Sequence, residues 1–173
     1  MAGFDSSPNE FLDLSWEMFG ELCRALALKV ARDYEPELVV GIARAGALPG
    51  AVVATIMDVD FFSMKVRSLH DEDEDVSVRQ RPEVMSAAPP EARGRKVLIV
   101  DEVTTSGATL RLALAALRDV GAAEVRTATS FARRRGYRPD YCALDTEAEV
   151  ILPWDHHVLD EDGFVPNPRY EDR

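Results

Sequence analysis

Residues 96–109, KVLIVDEVTTSGAT, constrain the fold of this chain more than any other segment. The apolar run at residues 97–100 is typical of a buried strand, and two carboxylates, Asp101 and Glu102, follow where that strand ends. A loop of small and hydroxyl residues comes next, and an apolar pattern at helical spacing begins at Leu110. Ligands in open α/β sheets bind outside the carboxyl ends of the strands. The segment therefore predicts a strand–loop–helix unit with a binding site at its loop.

The loop of this unit has the composition of a phosphate site. It leads into a helix N-terminus, where unpaired backbone N–H groups and the helix dipole favour an anion. Gly107 lets the backbone approach a ligand closely because it has no Cβ, and hydroxyl groups add donors. Paired carboxylates beside such a loop suit ribose hydroxyls, magnesium or both. The loop residues are Thr104, Thr105, Ser106, Gly107, Ala108 and Thr109.

A second candidate anion loop follows the apolar run at residues 38–43. Arg44 can supply a charge-assisted donor, while Ala45 and Gly46 leave room for backbone amides to point at an anion. Pro49, a residue favoured in first turns, marks the helix that follows. A plain turn with one solvent-facing arginine has the same pattern, so the loop alone leaves both interpretations open.

Strand and helix patterns alternate along the chain. Ser15 is the predicted N-cap of the first helix, and Gly121 is the predicted stop of the last. The apolar spacing predicts helices at residues 16–33, 48–57 and 110–120. Strand patterns occur at residues 38–43, 61–67, 97–100, 125–131 and 150–152. This alternation predicts an α/β protein with a mostly parallel five-stranded sheet and helices on both faces.

Composition limits the remaining possibilities. The 173 residues suffice for one domain with a proper core. A formal charge of −11 argues against non-specific binding to nucleic acid or to an anionic membrane, although local amides and arginines can still bind phosphate. Cys23 and Cys142 show neither metal spacing nor a disulfide framework. No apolar run reaches transmembrane length and no signal peptide is visible, so we expect a cytoplasmic protein.

Residues 96–109 resemble the phosphoribosyl pyrophosphate signature of type I phosphoribosyltransferases. That signature is an apolar strand, two acidic residues, two variable residues and then Thr-Thr/Ser-Gly-x-Thr. Residues 41–50, GIARAGALPG, look like the pyrophosphate loop of the purine salvage members. The resemblance extends over residues 16–165 and implies a Rossmann-like sheet with a small C-terminal hood. We refer to residues 104–109 as the phosphate loop and to residues 44–46 as the pyrophosphate loop.

The resemblance also implies a domain organisation. Residues 1–173 would form a single phosphoribosyltransferase domain, with its core at about 15–130 and its hood at about 131–165. A flexible loop at about 68–95 would close over the active site, where Arg67, Ser68, Arg79 and Arg81 are candidates for contacting pyrophosphate. Relatives are commonly dimers or tetramers, so a homodimer or tetramer is expected.

The implied reaction is a magnesium-dependent transfer of 5-phosphoribose from phosphoribosyl pyrophosphate to a nucleobase. Asp101 and Glu102 would hold the ribose hydroxyls and magnesium, and would favour positive charge on the ribose ring. The phosphate loop would bind the 5′-phosphate, and Arg44, Ala45 and Gly46 would bind the leaving pyrophosphate. Family members often carry a cis non-proline peptide in the latter loop, here expected at Arg44–Ala45.

The C-terminal segment resembles the base-selecting hood of the xanthine-guanine enzymes. Phe131-Ala132-Arg133 aligns with a Phe-Ala-Lys run whose Lys contacts the purine exocyclic oxygen, a contact for which Arg134 and Arg135 rival Arg133. Pro153-Trp154-Asp155 matches a Pro-Trp-Asp/Glu run in the same enzymes. Trp154 would stack on a flat base, unless it packs in the core. Asp155 or nearby carbonyls could accept from a purine N–H, and a 6-oxopurine in purine salvage is favoured.

Two departures from the family pattern leave alternatives open. The 6-oxopurine enzymes carry an Asp that handles the proton at purine N7 where this chain has Thr105, and a neutral hydroxyl is no base near neutral pH. The loop begins with Ser68-Leu69 instead of Ser-Tyr. Either Glu102 or another residue replaces the base, or the substrate differs, or the catalysis is weak. The alternatives are a phosphoribosyl pyrophosphate- or nucleotide-binding regulator with little transferase activity, and a nucleotide phosphohydrolase.

Overall fold

The computed structural model describes residues 10–67, 83–161 and 163–170. The helices are α1 (Trp16–Val30), α2 (Ala47–Met57) and α3 (Ala108–Val120), with short 3₁₀ turns at Pro90–Ala92 and Pro168–Tyr170. The strands are β1 (Phe11–Asp13), β2 (Leu38–Ala43), β3 (Asp60–Arg67), β4 (Glu83–Val84), β5 (Lys96–Thr104), β6 (Glu124–Ala132), β7 (Tyr141–Asp145), β8 (Glu149–Ile151), β9 (His157–Asp160) and β10 (Gly163–Pro166).

The central sheet confirms the predicted α/β class. Its strand order is β4-β3-β2-β5-β6-β7, and the five strands other than β4 run parallel. β4 adds a two-residue antiparallel edge through the pair Val66↔Val84. The fifth parallel strand is β7, which the sequence analysis placed in the hood. The predicted strand at residues 150–152 forms as β8 and pairs with β1 outside the central sheet.

Helices cover both faces of the sheet, as predicted. Alternate side chains of β2 point to opposite faces, so Val39 packs in one buried cluster while Val40 packs in the other. The first cluster joins the sheet to α1 and α2 through Phe19, Cys23, Leu26, Val53 and Ala54. The second joins it to α3 through Leu110, Ala113 and Leu117.

The predicted helix boundaries have physical causes that the structure confirms. Ser15 caps α1, because its Oγ accepts a hydrogen bond from the Met18 N–H at 3.2 Å. Gly121 ends α3 with φ of 95°, a left-handed conformation that glycine adopts without strain. α1 ends at Val30, earlier than the predicted residue 33, and a turn follows it.

β5 is longer than predicted, and this changes where the two carboxylates lie. The predicted strand ended at residue 100, but β5 continues to Thr104 because β6 supplies pairing partners as far as Ala132. Asp101 and Glu102 therefore lie within the strand instead of after it. The pairing of β5 with β2 ends at Gly41↔Val100, so the chain after β2 folds beside this last part of β5.

The segment after β7 lies against the N-terminal part of the chain. β8 pairs in parallel with β1 through Leu12↔Val150, and β9 and β10 form an antiparallel hairpin. The Lys29 ammonium of α1 donates to the carbonyls of Cys142 and Ala143, at 2.6 and 3.0 Å. The pairing of β8 with β1 joins the segment after β7 to the N-terminal part of the chain, and the Lys29 hydrogen bonds join α1 to β7.

The structure describes only part of the closing loop that the sequence analysis predicted. Of the predicted closing loop at 68–95, residues 68–82 lie outside the described residues, and with them Ser68, Arg79 and Arg81. The backbone of Arg67 ends β3. Within the described ranges, no helix combines the length and the apolar character needed to cross a membrane.

Candidate active site

The pyrophosphate loop lies directly against Asp101. A Cβ at Gly46 would lie 2.5 Å from Asp101 Oδ1, 2.7 Å from Asp101 Cα and 2.8 Å from the Ile42 carbonyl oxygen. These separations are shorter than any ordinary contact, so only a residue without a side chain fits there. The pyrophosphate loop therefore lies against a buried carboxylate of β5, the strand whose last residue, Thr104, begins the phosphate loop.

The peptide bond between Ala43 and Arg44 is cis. The sequence analysis expected the cis bond at Arg44–Ala45, which is wrong by one residue. The ladder with β3 continues through the pair Ala43↔Lys65, so the chain leaves the sheet at the bond that follows Ala43. The Arg44 side chain is exposed, Ala45 is half-buried and Gly46 is buried.

The Glu102 charge acts on two other carboxylates, Asp101 and Asp155. Asp101 is 7% exposed, and its Oδ1 accepts the backbone N–H of Glu102 at 3.0 Å. Burial raises the pKa of Asp101 well above its usual value, and the neighbouring Glu102 charge adds to the shift. Burial also raises the pKa of Asp155, and the Glu102 charge again adds to it. The hood residue Asp155 is thus within electrostatic reach of the carboxylate pair in β5.

The phosphate loop has the predicted position between a strand and a helix N-terminus. Thr104 is the last residue of β5 and is buried, whereas Thr105 and Ser106 are exposed. Gly107 has φ of 71° and precedes the first residue of α3, Ala108, whose N–H donates to Ser106 Oγ at 3.3 Å. Thr109 lies in the first turn, where backbone N–H groups remain available to an anion.

Tyr137 contacts the phosphate loop and was missed by the sequence analysis. A Cβ at Gly107 would overlap the Tyr137 ring, and the Tyr137 N–H donates to the Thr105 carbonyl at 2.8 Å. The Arg111 guanidinium lies 5.2 Å from the centre of the same ring. The β6–β7 connection that carries Tyr137 has no periodic pattern, so only turn residues such as Gly136 and Pro139 marked it in the sequence.

The Arg133 side chain is anchored by the backbone. Its Nη1 donates to the Ala148 carbonyl at 2.8 Å and also to the Glu147 carbonyl. Its own N–H donates to the Thr104 carbonyl at 3.3 Å. Arg133 therefore links the end of β5 to the segment that leads into β8. Its rivals Arg134 and Arg135 are exposed.

Trp154 packs against α1. Its ring centre lies 5.3 Å from that of Phe19, edge to face, and 5.8 Å from that of Trp16. The core contact that the sequence analysis left open is thus present, and the side chain is half-buried. Next along the chain, the Asp155 N–H donates to the Leu152 carbonyl at 2.9 Å, and the Asp155 carbonyl accepts from Asn167 at 2.7 Å.

Comparisons with known proteins agree with this geometry. A model of the phosphoribosyl transferase domain family matches residues 14–161. A xanthine-guanine phosphoribosyltransferase of Nitratidesulfovibrio vulgaris is 28% identical over 149 residues, covering 84% of this chain and 85% of the relative. The crystal structure of a purine phosphoribosyltransferase from Pyrococcus horikoshii superimposes with a TM-score of 0.72 at 25% identity, covering 88% of this chain and 99% of that one. The transcriptional regulator GfcR of Methanococcoides burtonii is 30% identical over 108 residues, covering 62% of this chain and 51% of the relative.

The contact between Gly46 and Asp101 can be tested by adding one methyl group. Gly46→Ala places a Cβ 2.5 Å from Asp101 Oδ1, so we expect the free energy of unfolding to fall by about 2 kcal/mol through overpacking. Chemical denaturation would measure the change.

The matched control is Gly20→Ala in α1, where a Cβ would meet nothing within 4 Å. There the same substitution should raise the free energy of unfolding by about 0.5–1 kcal/mol, because alanine is the better helix former. Equal effects of the two substitutions would contradict the close approach of Gly46 to Asp101.

Proposed function

Because the chain belongs to the phosphoribosyltransferase family, we propose that it transfers 5-phosphoribose from phosphoribosyl pyrophosphate to a nucleobase and releases pyrophosphate. The observation that carries the proposal is that the pyrophosphate loop lies against Asp101, with a Cβ at Gly46 only 2.5 Å from Oδ1, while the phosphate loop begins at the end of the same strand. Phosphoribosyl pyrophosphate bears a phosphate at C5 and a pyrophosphate at C1 of one ribose. Two anion loops on either side of a carboxylate pair suit such a molecule.

Each loop would hold one end of the donor. The 5′-phosphate would bind the phosphate loop, where Ser106, Gly107, Ala108 and Thr109 supply amides and hydroxyls at the N-terminus of α3. The pyrophosphate would bind at residues 44–46, where the exposed Arg44 supplies a positive charge. Thr104, buried at the end of β5, would hold the start of the phosphate loop in place.

Magnesium fits the carboxylate pair. Mg²⁺ is usually held by one or two carboxylates together with substrate phosphates. Within residues 10–67, 83–161 and 163–170 no group of three His, Cys, Asp or Glu residues could hold a metal ion. Asp101 and Glu102 would therefore hold it jointly with the donor, and a bound cation would oppose the effects of burial and of the Glu102 charge, which raise the pKa of Asp101. When bound, the ion would neutralise charge on the leaving pyrophosphate.

The residues of the chain would act by position and charge. In the proposed step the bond from C1 to the pyrophosphate oxygen breaks, its electron pair leaves with pyrophosphate, and a base nitrogen bonds to C1. Positive charge develops on the ribose, and the Glu102 carboxylate would stabilise it. The buried Asp101 accepts the Glu102 N–H and so fixes the backbone that carries this carboxylate. The proton lost by the base nitrogen would pass to Glu102, Asp155 or solvent.

A 6-oxopurine is the base class we favour, with purine salvage as the role. The support comes from the purine enzymes among the relatives and from the hood. Asp155 is a candidate base contact, and the Glu102 charge adds to the burial that raises its pKa. Arg133 and Trp154 stay candidates too, while their observed contacts are with the Ala148 carbonyl and with aromatic rings of α1. We also propose that residues 1–173 form a single domain, that its loop at about 68–95 closes over the site, and that the protein assembles as a homodimer or tetramer.

The second candidate function is a regulator that binds phosphoribosyl pyrophosphate or a nucleotide with little transfer activity. Thr105 favours it, because this exposed hydroxyl stands where 6-oxopurine enzymes carry their acidic residue. One relative over part of the chain is a transcriptional regulator. Both functions require the same donor site, so they differ only in whether the bound donor reacts with a base.

Pyrophosphate release distinguishes the two functions. The protein would be incubated with phosphoribosyl pyrophosphate and Mg²⁺, with xanthine, guanine, hypoxanthine, adenine, uracil and orotate supplied singly. We expect release with a 6-oxopurine only, because the hood resembles those enzymes. Binding of the donor without release for any base would establish the regulator instead, and phosphate release without any base would indicate a phosphohydrolase.

The Thr105→Asp variant tests whether the absence of an acidic residue at position 105 limits turnover. If proton removal from the base limits turnover, the added carboxylate should raise kcat with a 6-oxopurine by at least about tenfold, within the usual contribution of a general base. Thr105→Asn is the matched control, since it has nearly the same shape as Asp and no charge. An equal response of the two variants would show that another residue already removes the proton.

A further inference from the structure

We propose that Tyr137 and Arg111 are positioning residues that hold the phosphate loop in the shape that binds a 5′-phosphate. The inference rests on the proposed function, because it assigns a role within the same donor site. Neither residue belongs to the motifs that carry the family resemblance. Both contact the loop through its backbone, Arg111 from α3 and Tyr137 from the β6–β7 connection.

Tyr137 packs on the most adaptable residue of the loop. Gly107 has φ of 71°, and a Cβ there would overlap the Tyr137 ring, so the ring lies directly on the glycine backbone. Besides this packing, the Tyr137 N–H donates to the Thr105 carbonyl at 2.8 Å. One residue therefore fixes the loop at two points on either side of Ser106.

Arg111 completes the arrangement from α3. Its Nη2 donates to the Ser106 carbonyl at 2.7 Å, and its guanidinium lies 5.2 Å from the centre of the Tyr137 ring. A cation at this distance from an aromatic ring is attracted by the electrons of its face. The ring and the guanidinium thus hold each other as well as the loop, and the carbonyls of Thr105 and Ser106 are both engaged.

The β6–β7 connection is itself held against the end of β5. The Arg133 N–H donates to the Thr104 carbonyl at 3.3 Å, and the Gly136 backbone approaches the Thr105 carbonyl so closely that a Cβ on Gly136 would overlap it. These two contacts hold the β6–β7 connection in place, and this connection positions the Tyr137 ring on Gly107. The loop is braced by a fixed neighbour and not by a freely moving side chain.

We refer to the contacts of Tyr137 and Arg111 with the phosphate loop as the brace. The brace matters because the loop is intrinsically adaptable. Gly107 and its small neighbours have little side-chain packing of their own, so an unbraced loop would adopt many conformations and lose that freedom on binding. A binding site that is already ordered avoids this cost, and its affinity is higher for that reason. Loss of the brace should therefore weaken ligands that carry a 5′-phosphate and spare ligands that bind only at residues 44–46.

The test compares two ligands on the full-length protein by isothermal titration calorimetry. Phosphoribosyl pyrophosphate with Mg²⁺ engages both loops, whereas pyrophosphate with Mg²⁺ engages only the pyrophosphate loop. For Tyr137→Ala we expect phosphoribosyl pyrophosphate to bind about tenfold more weakly, as ordering of the loop must now accompany binding. Pyrophosphate affinity should stay within about twofold of the wild-type value, and Tyr137→Phe, which keeps the ring, should restore wild-type affinity for both.

Two further variants complete the design. Tyr170→Ala is the matched control, because Tyr170 also lies beneath a guanidinium, that of Arg169 at 5.6 Å, but in the 3₁₀ turn Pro168–Tyr170. It should bind both ligands like the wild type. Arg111→Met leaves the Tyr137 ring in place and should weaken phosphoribosyl pyrophosphate alone by about threefold, which supports the same brace should Tyr137→Ala not fold.

The outcomes distinguish a failure of the inference from a failure of the proposed function. Unchanged affinity of Tyr137→Ala and Arg111→Met for phosphoribosyl pyrophosphate would overturn the brace and leave the proposed function standing. Equal weakening of both ligands would also overturn it, because a general disturbance of the fold would then explain the loss. Failure of the wild-type protein to bind phosphoribosyl pyrophosphate would overturn the proposed function, and the inference with it.

Discussion

The close approach of Gly46 to Asp101 is the constraint on which the candidate site depends. β5 remains paired with β6 through Thr104, whereas its pairing with β2 stops at Val100. The chain after β2 therefore turns beside the part of β5 that carries the acids. A residue with a side chain at position 46 would push the pyrophosphate loop away from Asp101. Sheet register and one glycine together place the pyrophosphate loop against the strand that leads into the phosphate loop.

Electrostatics explains why an acidic protein can present such a site. The chain carries a net charge of −11, and the site contains Asp101, Glu102 and Asp155. Phosphates can bind here only where backbone amides, the N-terminus of α3 and local arginines outweigh those charges. Magnesium would offset the carboxylates and the pyrophosphate together. Burial raises the pKa values of Asp101 and Asp155, and the Glu102 charge adds to both shifts.

The sequence predicted the features that depend on local patterns. The parallel sheet, the cap at Ser15, the stop at Gly121 and the strand–loop–helix unit at residues 96–109 all follow from periodicity or motif. The sequence did not predict the features that depend on long-range contacts. β7 is a short edge strand with mixed side chains, so no pattern marked it. Tyr137 reaches Gly107 only through the fold, and Trp154 meets α1 for the same reason. The predicted oligomeric state and cytoplasmic location stay predictions.

Hydrogen–deuterium exchange on ligand binding tests the central claim most directly, which is that one donor molecule bridges the two loops. Peptides that cover residues 43–50 and 104–111 would be followed with phosphoribosyl pyrophosphate, pyrophosphate or ribose 5-phosphate, each with Mg²⁺. The account predicts that phosphoribosyl pyrophosphate slows exchange in both peptides, pyrophosphate in the first only and ribose 5-phosphate in the second only. Protection of a single loop by phosphoribosyl pyrophosphate, or protection confined to other parts of the chain, would contradict it.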